Sequence, residues 1–241
     1  MREFLNWYWH GRGKRKPWVR RIFAMALFYA LVVPAFIVLL FRFVPVPATP
    51  QVVIGLISGD DVHYSWREAD EISPYLGRAV IGAEDQKFCS HHGFDWEAID
   101  KALKKHKRNP KRTLHGASTI SQQAARSLFG TVTRSWVRKG AEAYETVLME
   151  FLWPKKRIMT VYLNTVDWGH GNYGAEAAAQ SYFGKPASDL TAAEAARLAS
   201  ILPNPNKWKA VKPGPYVRKR TGKVGARIFQ VRRDGLDWCL Q

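Results

Sequence analysis

Twenty consecutive residues, from Ile22 to Phe41, carry no charge. At about 1.5 Å of rise per residue, an α-helix of that length crosses the roughly 30 Å hydrocarbon core of a bilayer, which no open sheet or loop can do. Pro34 inside the run is tolerated in a membrane helix. Ahead of the run stand Arg2, Arg12, Lys14, Arg15, Lys16, Arg20 and Arg21 against the single acid Glu3, and directly after it only Arg42. That excess of cations orients the N-terminus to the cytoplasm. The chain is therefore expected to comprise a basic cytoplasmic tail (1–21), a transmembrane helix (22–44) and an extracytoplasmic, periplasmic domain (45–241), held at the inner membrane. A cleaved signal peptide is the alternative, but its apolar region normally runs about 7 to 15 residues before a small-residue cleavage site. Val44-Pro45-Val46-Pro47-Ala48 is a poor site of that kind, so a retained anchor is expected. Pro45, Pro47 and Pro50 read as a short extended stalk lifting the domain off the membrane.

The formal net charge is +17, and from Pro45 onward 29 Lys and Arg stand against 19 Asp and Glu, a balance of +10. Such an excess asks for an anionic partner. The tail, with Trp7, Tyr8, Trp9 and Trp18 among its cations, has a composition that suits nucleic acid. The topology argues against that partner, because it puts the larger basic part outside the cell. An anionic leaflet or an anionic lipid substrate fits instead. Lys101, Lys104, Lys105, Lys107, Arg108, Lys111 and Arg112 read singly as a solvated helix end and loop. As a group they suit lipid headgroups, at about 1 kcal/mol each near the surface.

Val52, Val53, Ile54, Leu56 and Ile57, ahead of Gly59-Asp60-Asp61, predict a short strand and turn within 51–67. Beyond it the pattern is helical almost throughout. Asp95 is placed to cap a helix from Trp96, with Ile99, Ala102 and Leu103 on one face. Thr191 and Glu194 form a capping box for the helix running to Leu202. The basic run Arg218 to Lys223 and the pattern from Ile228 to Trp238 suggest a final packed helix. The domain is expected to be mainly α with one core.

The most unusual stretch is Ala83 to Asp95, AEDQKFCSHHGFD. It sets two adjacent carboxylates, Glu84 and Asp85, at the end of the apolar run Ala79 to Ala83. Carboxylates are costly to bury as ions, so they are either paired or shifted in proton affinity for chemistry. Further on, GASTISQQAARSLF offers Ser118 or Thr119 as a cap. Thr119, Gln123 and Arg126 follow on one helical stripe, and Ile120, Ala124 and Leu128 on another that should face the core. A hydroxyl, an amide and a guanidinium in a row suit a phosphate or a sugar, or simply a polar outer face. In the next helix, Ser135 to Leu152, the apolar positions Val137, Ala141, Tyr144, Leu148 and Leu152 are expected to be buried. Arg138 and Glu142 lie four apart beside Lys139. They read equally as a surface pair or as a phosphate-binding cation next to a working carboxylate.

The blocks EDQKF with His91 and Gly93 behind it, GASTISQQ, RKGAE, RIMTVYLN, GNYGAEAAAQSYFGK and LTAAEAARLASILPNP stand in that order over roughly residues 75 to 210. In this the chain resembles the peptidoglycan glycosyltransferases of family 51, and with one anchor and no second domain it is similar to their monofunctional members. The resemblance implies a lysozyme-like, mostly helical glycosyltransferase domain that polymerises lipid II outside the cytoplasmic membrane. Glu84 would be the base that takes the proton from the acceptor sugar's 4-hydroxyl, with Asp85 beside it raising proton affinity. Glu142 would assist departure of the lipid diphosphate, directly or through a divalent cation (magnesium or manganese) that is not an obligatory cofactor. Arg138, Arg126 and Lys139 would neutralise the developing charge. Phe88, His91, Gly116, Thr119 and Gln123 fall on the family's site-shaping positions. Lipid II, the growing glycan strand, the membrane and other cell-wall synthesis proteins are the implied partners, and nucleic acid is not among them. Arg126 stands where the family usually has lysine, Ser127 where it has asparagine, and Thr160 where glutamate is common.

Two other readings compete: a lysozyme-like enzyme that cleaves glycan, and a membrane-tethered basic binding protein. The stripe of Arg and Lys disfavours cleavage, since a neutral glycan needs no diphosphate clamp. No Ser-x-x-Lys occurs, and Arg220-Thr221-Gly222 is an isolated echo of Lys-Thr-Gly, so transpeptidase chemistry is excluded. Adjacent His91 and His92 diverge and lack a third ligand at helical spacing, so no protein-bound metal is expected. Cys89 and Cys239 are too few for a metal cluster or a disulfide framework, and their spacing does not decide whether they bond. A structural pair is not expected.

Overall fold

The computed structural model describes residues 17–109, 117–130 and 136–241. Gly116, Lys111, Arg112 and most of the basic tail lie outside the described residues. The described chain is mainly α, with ten helices: α1 (Pro17–Phe41), α2 (Pro50–Ser58), α3 (Pro74–Glu84), α4 (Trp96–Arg108), α5 (Ile120–Phe129), α6 (Trp136–Leu152), α7 (Lys155–Thr165), α8 (Ala175–Phe183), α9 (Ala192–Ile201) and α10 (Pro215–Arg233). Two short parallel strands, β1 (His63–Tyr64) and β2 (Asn172–Tyr173), pair His63 with Asn172 and Tyr64 with Tyr173.

The strand expected among Val52 to Ile57 is instead helix α2, and its caps explain why. The Thr49 side chain accepts from the Val52 amide, Pro50 occupies the first turn, and Gly59 ends the helix at φ 77°. A Thr cap, an early Pro and a terminal Gly outweigh the β-branched run. Strand structure in this region is confined to His63 and Tyr64.

Helix α1 is long and apolar enough to cross a membrane. The segment after it is not the free stalk expected from its prolines. Val46 and Thr49 are buried, Tyr64 donates to the Val46 carbonyl, and Arg157 donates to the carbonyls of Phe41 and Val44. An extended chain leaves its carbonyls open, and here the domain supplies their donors. On α6 the Tyr144 hydroxyl donates to the Leu31 carbonyl at 2.8 Å, and just beyond its end the Trp153 indole donates to that of Val38 at 2.7 Å.

That packing reverses part of the expected polarity of α6. Val137 is 84% exposed and Ala141 is exposed, while Tyr144, Leu148 and Leu152 are only half-buried. The buried stripe is Glu142, Glu145, Thr146 and Met149, because the polar side of this helix closes onto the interior.

Two groups of helices form the core. In one, α3, α9 and α10 pack on one another; in the other, α5 packs between α6 and α7. Leu76, Ile81, Ile120, Met149, Ile158, Leu198, Ile201 and Ile228 are fully buried in one continuous cluster. The caps predicted at Asp95 and at Thr191 with Glu194 are both present. Cys89 and Cys239 form a disulfide across 150 residues, with Cα atoms 5.5 Å apart, contrary to the expectation. The final helix carries the C-terminus back over α3, where Arg78 pairs with Asp237 at 2.7 Å, and this brings Cys239 to Cys89.

Candidate active site

Helix α3 ends at Glu84, at the junction of the two helix groups. Its carboxylate receives Arg220 Nη2 from α10 at 3.1 Å and Gln123 Nε2 from α5 at 3.4 Å. The Tyr162 hydroxyl donates to Gln123 Oε1 at 3.4 Å. Burial raises the proton affinity of Glu84, Arg220 and Gln123 oppose the rise, and Asp85 adds to it. The net direction is upward, as expected, but desolvation leads and the neighbouring charge is a smaller cause.

Asp85 is a strut. Its Oδ2 accepts from the Ile120 amide at 3.0 Å, at the start of α5, and from His91 Nε2 at 2.9 Å. Because His91 Nδ1 accepts from the Gly93 amide at 3.1 Å, the partners assign the ring proton to Nε2. A carboxylate beside the first amides of a helix is also favoured by the helix dipole.

Thr119 caps α5 in a capping box with Gln122, and its hydroxyl donates to the Gly93 carbonyl at 2.6 Å. Gly93 has φ 86°, and a Cβ there would lie 2.8 Å from Thr146 Cγ2 and 3.2 Å from Glu150 Cγ. The loop after α3 is thus pressed against both α5 and α6. Phe88 is fully buried under Lys155, whose Nζ sits 4.6 Å from the ring centre and 2.7 Å from Glu150. Glu150 also accepts from Ser121. Phe88, His91 and Thr119 therefore hold the loop from inside and present little surface to a ligand.

The second carboxylate, Glu142 on α6, is 4% exposed. Lys139 Nζ lies 2.6 Å from one of its oxygens and Arg138 Nη1 3.6 Å from the other. Both cations remain partly exposed, so they face outward from the buried acid. Glu145, one turn further on, is also buried; burial and Glu142 push its carboxyl from 4.5 up to about 7. Arg126, on α5, is exposed and close enough to lower the proton affinity of Glu84.

The structure thus joins Glu84, Asp85, Phe88, His91, Thr119 and Gln123 in one network and Arg138, Lys139 and Glu142 in another, with Arg126 on the helix between. A polar cavity of about 280 Å³ opens beside Glu84, with Lys87, Asp95, Thr119 and Arg227 among its walls. Sequence reasoning missed Arg220. Only its membership of a basic run was visible, and nothing local ties a residue to a carboxylate 136 positions away. It also missed Glu145, whose burial follows from the face that α6 turns inward.

A protein-held divalent cation does not fit these residues. The oxygens of Glu142 face Arg138 and Lys139, and among the described residues no group of three His, Cys, Asp or Glu is arranged to ligate one.

Residues 51–228 match the family described as Transglycosylase. The chain is 54% identical over 217 residues to a biosynthetic peptidoglycan transglycosylase of Caulobacter vibrioides, covering 90% of this chain and 94% of the relative. A protein of the same description from Rhodospirillum centenum is 46% identical over 223 residues, covering 92% and 95%. One from Klebsiella oxytoca is 50% identical over 205 residues, covering 82% and 84%.

Proposed function

The chain belongs to the transglycosylase family, and from that premise we propose how its residues polymerise lipid II into β-1,4-linked glycan strands. The family's domain has the lysozyme-like glycosyltransferase fold, and membership leaves the glycan-cleaving and binding-protein readings without support. The carrying observation is that two buried glutamates sit in two different cationic settings. Glu84 is desolvated in direct contact with Arg220 and within reach of the Arg126 charge, and Glu142 anchors two cations that face outward.

Glu84 takes the proton of the acceptor sugar's 4-hydroxyl as that oxygen attacks the anomeric carbon of the donor. Its raised proton affinity makes it a stronger base, and Arg220 keeps it ionised and aimed. The bond from the anomeric carbon to the phosphate oxygen breaks, and its electron pair leaves on the lipid diphosphate. Lys139, Arg138 and Arg126 neutralise that charge, while Glu142 fixes the first two in place. Direct displacement inverts the anomeric centre. Asp85, Phe88, His91, Thr119 and Gln123 position Glu84.

An apolar N-terminal helix fits a membrane anchor. We assign the domain to the outer side of the cytoplasmic membrane, with residues 1–21 inside. The Cys89–Cys239 bond supports this orientation, since disulfides persist in oxidising compartments and are rare in the cytosol. Lipid II presented at that surface is the substrate. Labelled lipid II incubated with the purified, detergent-solubilised chain should yield glycan polymer, and the Glu84→Gln variant should yield none. Polymer formed at wild-type rate by that variant would remove Glu84 from its role.

A further inference from the structure

Ahead of Arg220 on α10, an aromatic pair lies at the surface, with Tyr216 exposed and Trp208 half-buried against the core. The loop after α9 carries Trp208, whose amide donates to the Asn204 carbonyl at 2.9 Å. The loop is held in turn by Asn206, which accepts from the His170 amide at 2.8 Å. Tyr216, in the first turn of α10, is 64% exposed, and its ring centre lies 5.2 Å from that of Trp208. Lys207 and Lys209 flank the pair and are exposed. Together with Pro215 these residues line an opening of about 270 Å³.

Tyr216 and Arg220 are four residues apart, so they share a helix face about 6 Å apart along the axis. Arg220 reaches Glu84, so the platform stands about one helical turn from a residue that contacts that carboxylate. We propose that Trp208, Tyr216, Lys207 and Lys209 form an acceptor-side subsite for the peptide-bearing amino sugar of the incoming lipid-linked disaccharide. This rests on the proposed role of Glu84, because the base marks the side from which the acceptor arrives. Aromatic faces stack against the C–H face of a pyranose, and the ammonium groups match the carboxylates of an anionic peptide attached to it. Trp, Tyr and Lys also suit a membrane interface. The fold argues for the sugar, because Arg220, one turn further along the same helix, contacts Glu84.

The test titrates a soluble disaccharide-peptide into the full chain in detergent and follows binding by calorimetry. Tyr216→Ala should weaken binding about fivefold or more and raise KM for lipid II while leaving kcat within about twofold. The double variant Lys207→Gln with Lys209→Gln should weaken binding of the acidic peptide form but not of the form with amidated carboxylates. Equal affinities across wild type and variants would overturn the subsite, as would absence of binding by the wild type. Unchanged affinity with reduced partition of Tyr216→Ala into anionic vesicles would assign the platform to the membrane. A wild type that binds the fragment yet makes no polymer from lipid II would instead overturn the proposed function.

Discussion

Arg220 stands 136 residues beyond Glu84 in the chain, and its Nη2 lies 3.1 Å from the Glu84 carboxylate. The same guanidinium donates through Nε to the Ser200 carbonyl at 3.1 Å, so the end of α9 fixes the cation and the cation fixes the acid. Burial raises the proton affinity of Glu84, and Arg220 is the largest influence holding it down. Arg220→Ala should therefore raise that affinity further and reduce the ionised fraction of the base at a given pH. The acidic limb of the pH–rate profile should move to higher pH, with lower turnover across that limb. Arg220→Lys should restore part of the shift. An unmoved limb in Arg220→Ala would confine the residue to a packing role.

Arg138 and Lys139 share Glu142. Arg138→Ala should weaken binding of the diphosphate substrate about 10- to 100-fold, the scale of one charge-assisted contact at about 1.5–3 kcal/mol. Unchanged lipid II affinity would return the residue to a surface role.

Gly93 combines a positive φ of 86° with a Cβ position 2.8 Å from Thr146. Gly93→Ala should destabilise the fold by about 1–3 kcal/mol and shift the loop that carries His91, lowering turnover more than substrate affinity. Thermal unfolding and steady-state kinetics on the same preparation check both parts.

Cys89 and Cys239 close a loop spanning 150 residues. Cys239→Ala should lower stability by roughly 2–5 kcal/mol, and reductant should lower the melting temperature of the wild type but not of the variant.

The carboxyl of Glu145 is raised from 4.5 to about 7 by burial and by Glu142. A raised folded-state value means that the folded chain holds the proton longer than the unfolded one. Its stabilising contribution is complete below pH 4.5 and is lost as pH rises to about 7. Relative to Glu145→Gln, the wild type should lose on the order of 1–2 kcal/mol across that window, allowing for solvent that still reaches the carboxyl. Melting curves of the two proteins at pH 5 and pH 8 give the difference directly, and a constant gap would contradict it.

The caps at Asp95, Thr119 and Thr191 were legible because they depend on neighbours within one turn. Helix α2 departs from the expected strand although Thr49, Pro50 and Gly59 signal its ends, since short β-branched runs suit either structure and here the caps decide. The inward face of α6 departs from expectation for another reason. Apolar periodicity predicts burial only when the protein interior is apolar, and this helix turns acids toward the interior while α1 takes part of its other side.

By itself the sequence determined the apolar N-terminal helix and the helical class of the domain, and it singled out Glu84 and Glu142 as candidate acids. Those follow from composition, local periodicity and ordered motifs, all of which are properties of neighbouring residues. The tertiary structure decided that Arg220 faces Glu84, that Asp85 braces α5 through His91 and Ile120, and that Cys239 returns to Cys89. Each joins elements whose meeting depends on how whole helices pack, and no local pattern in the chain encodes the partner.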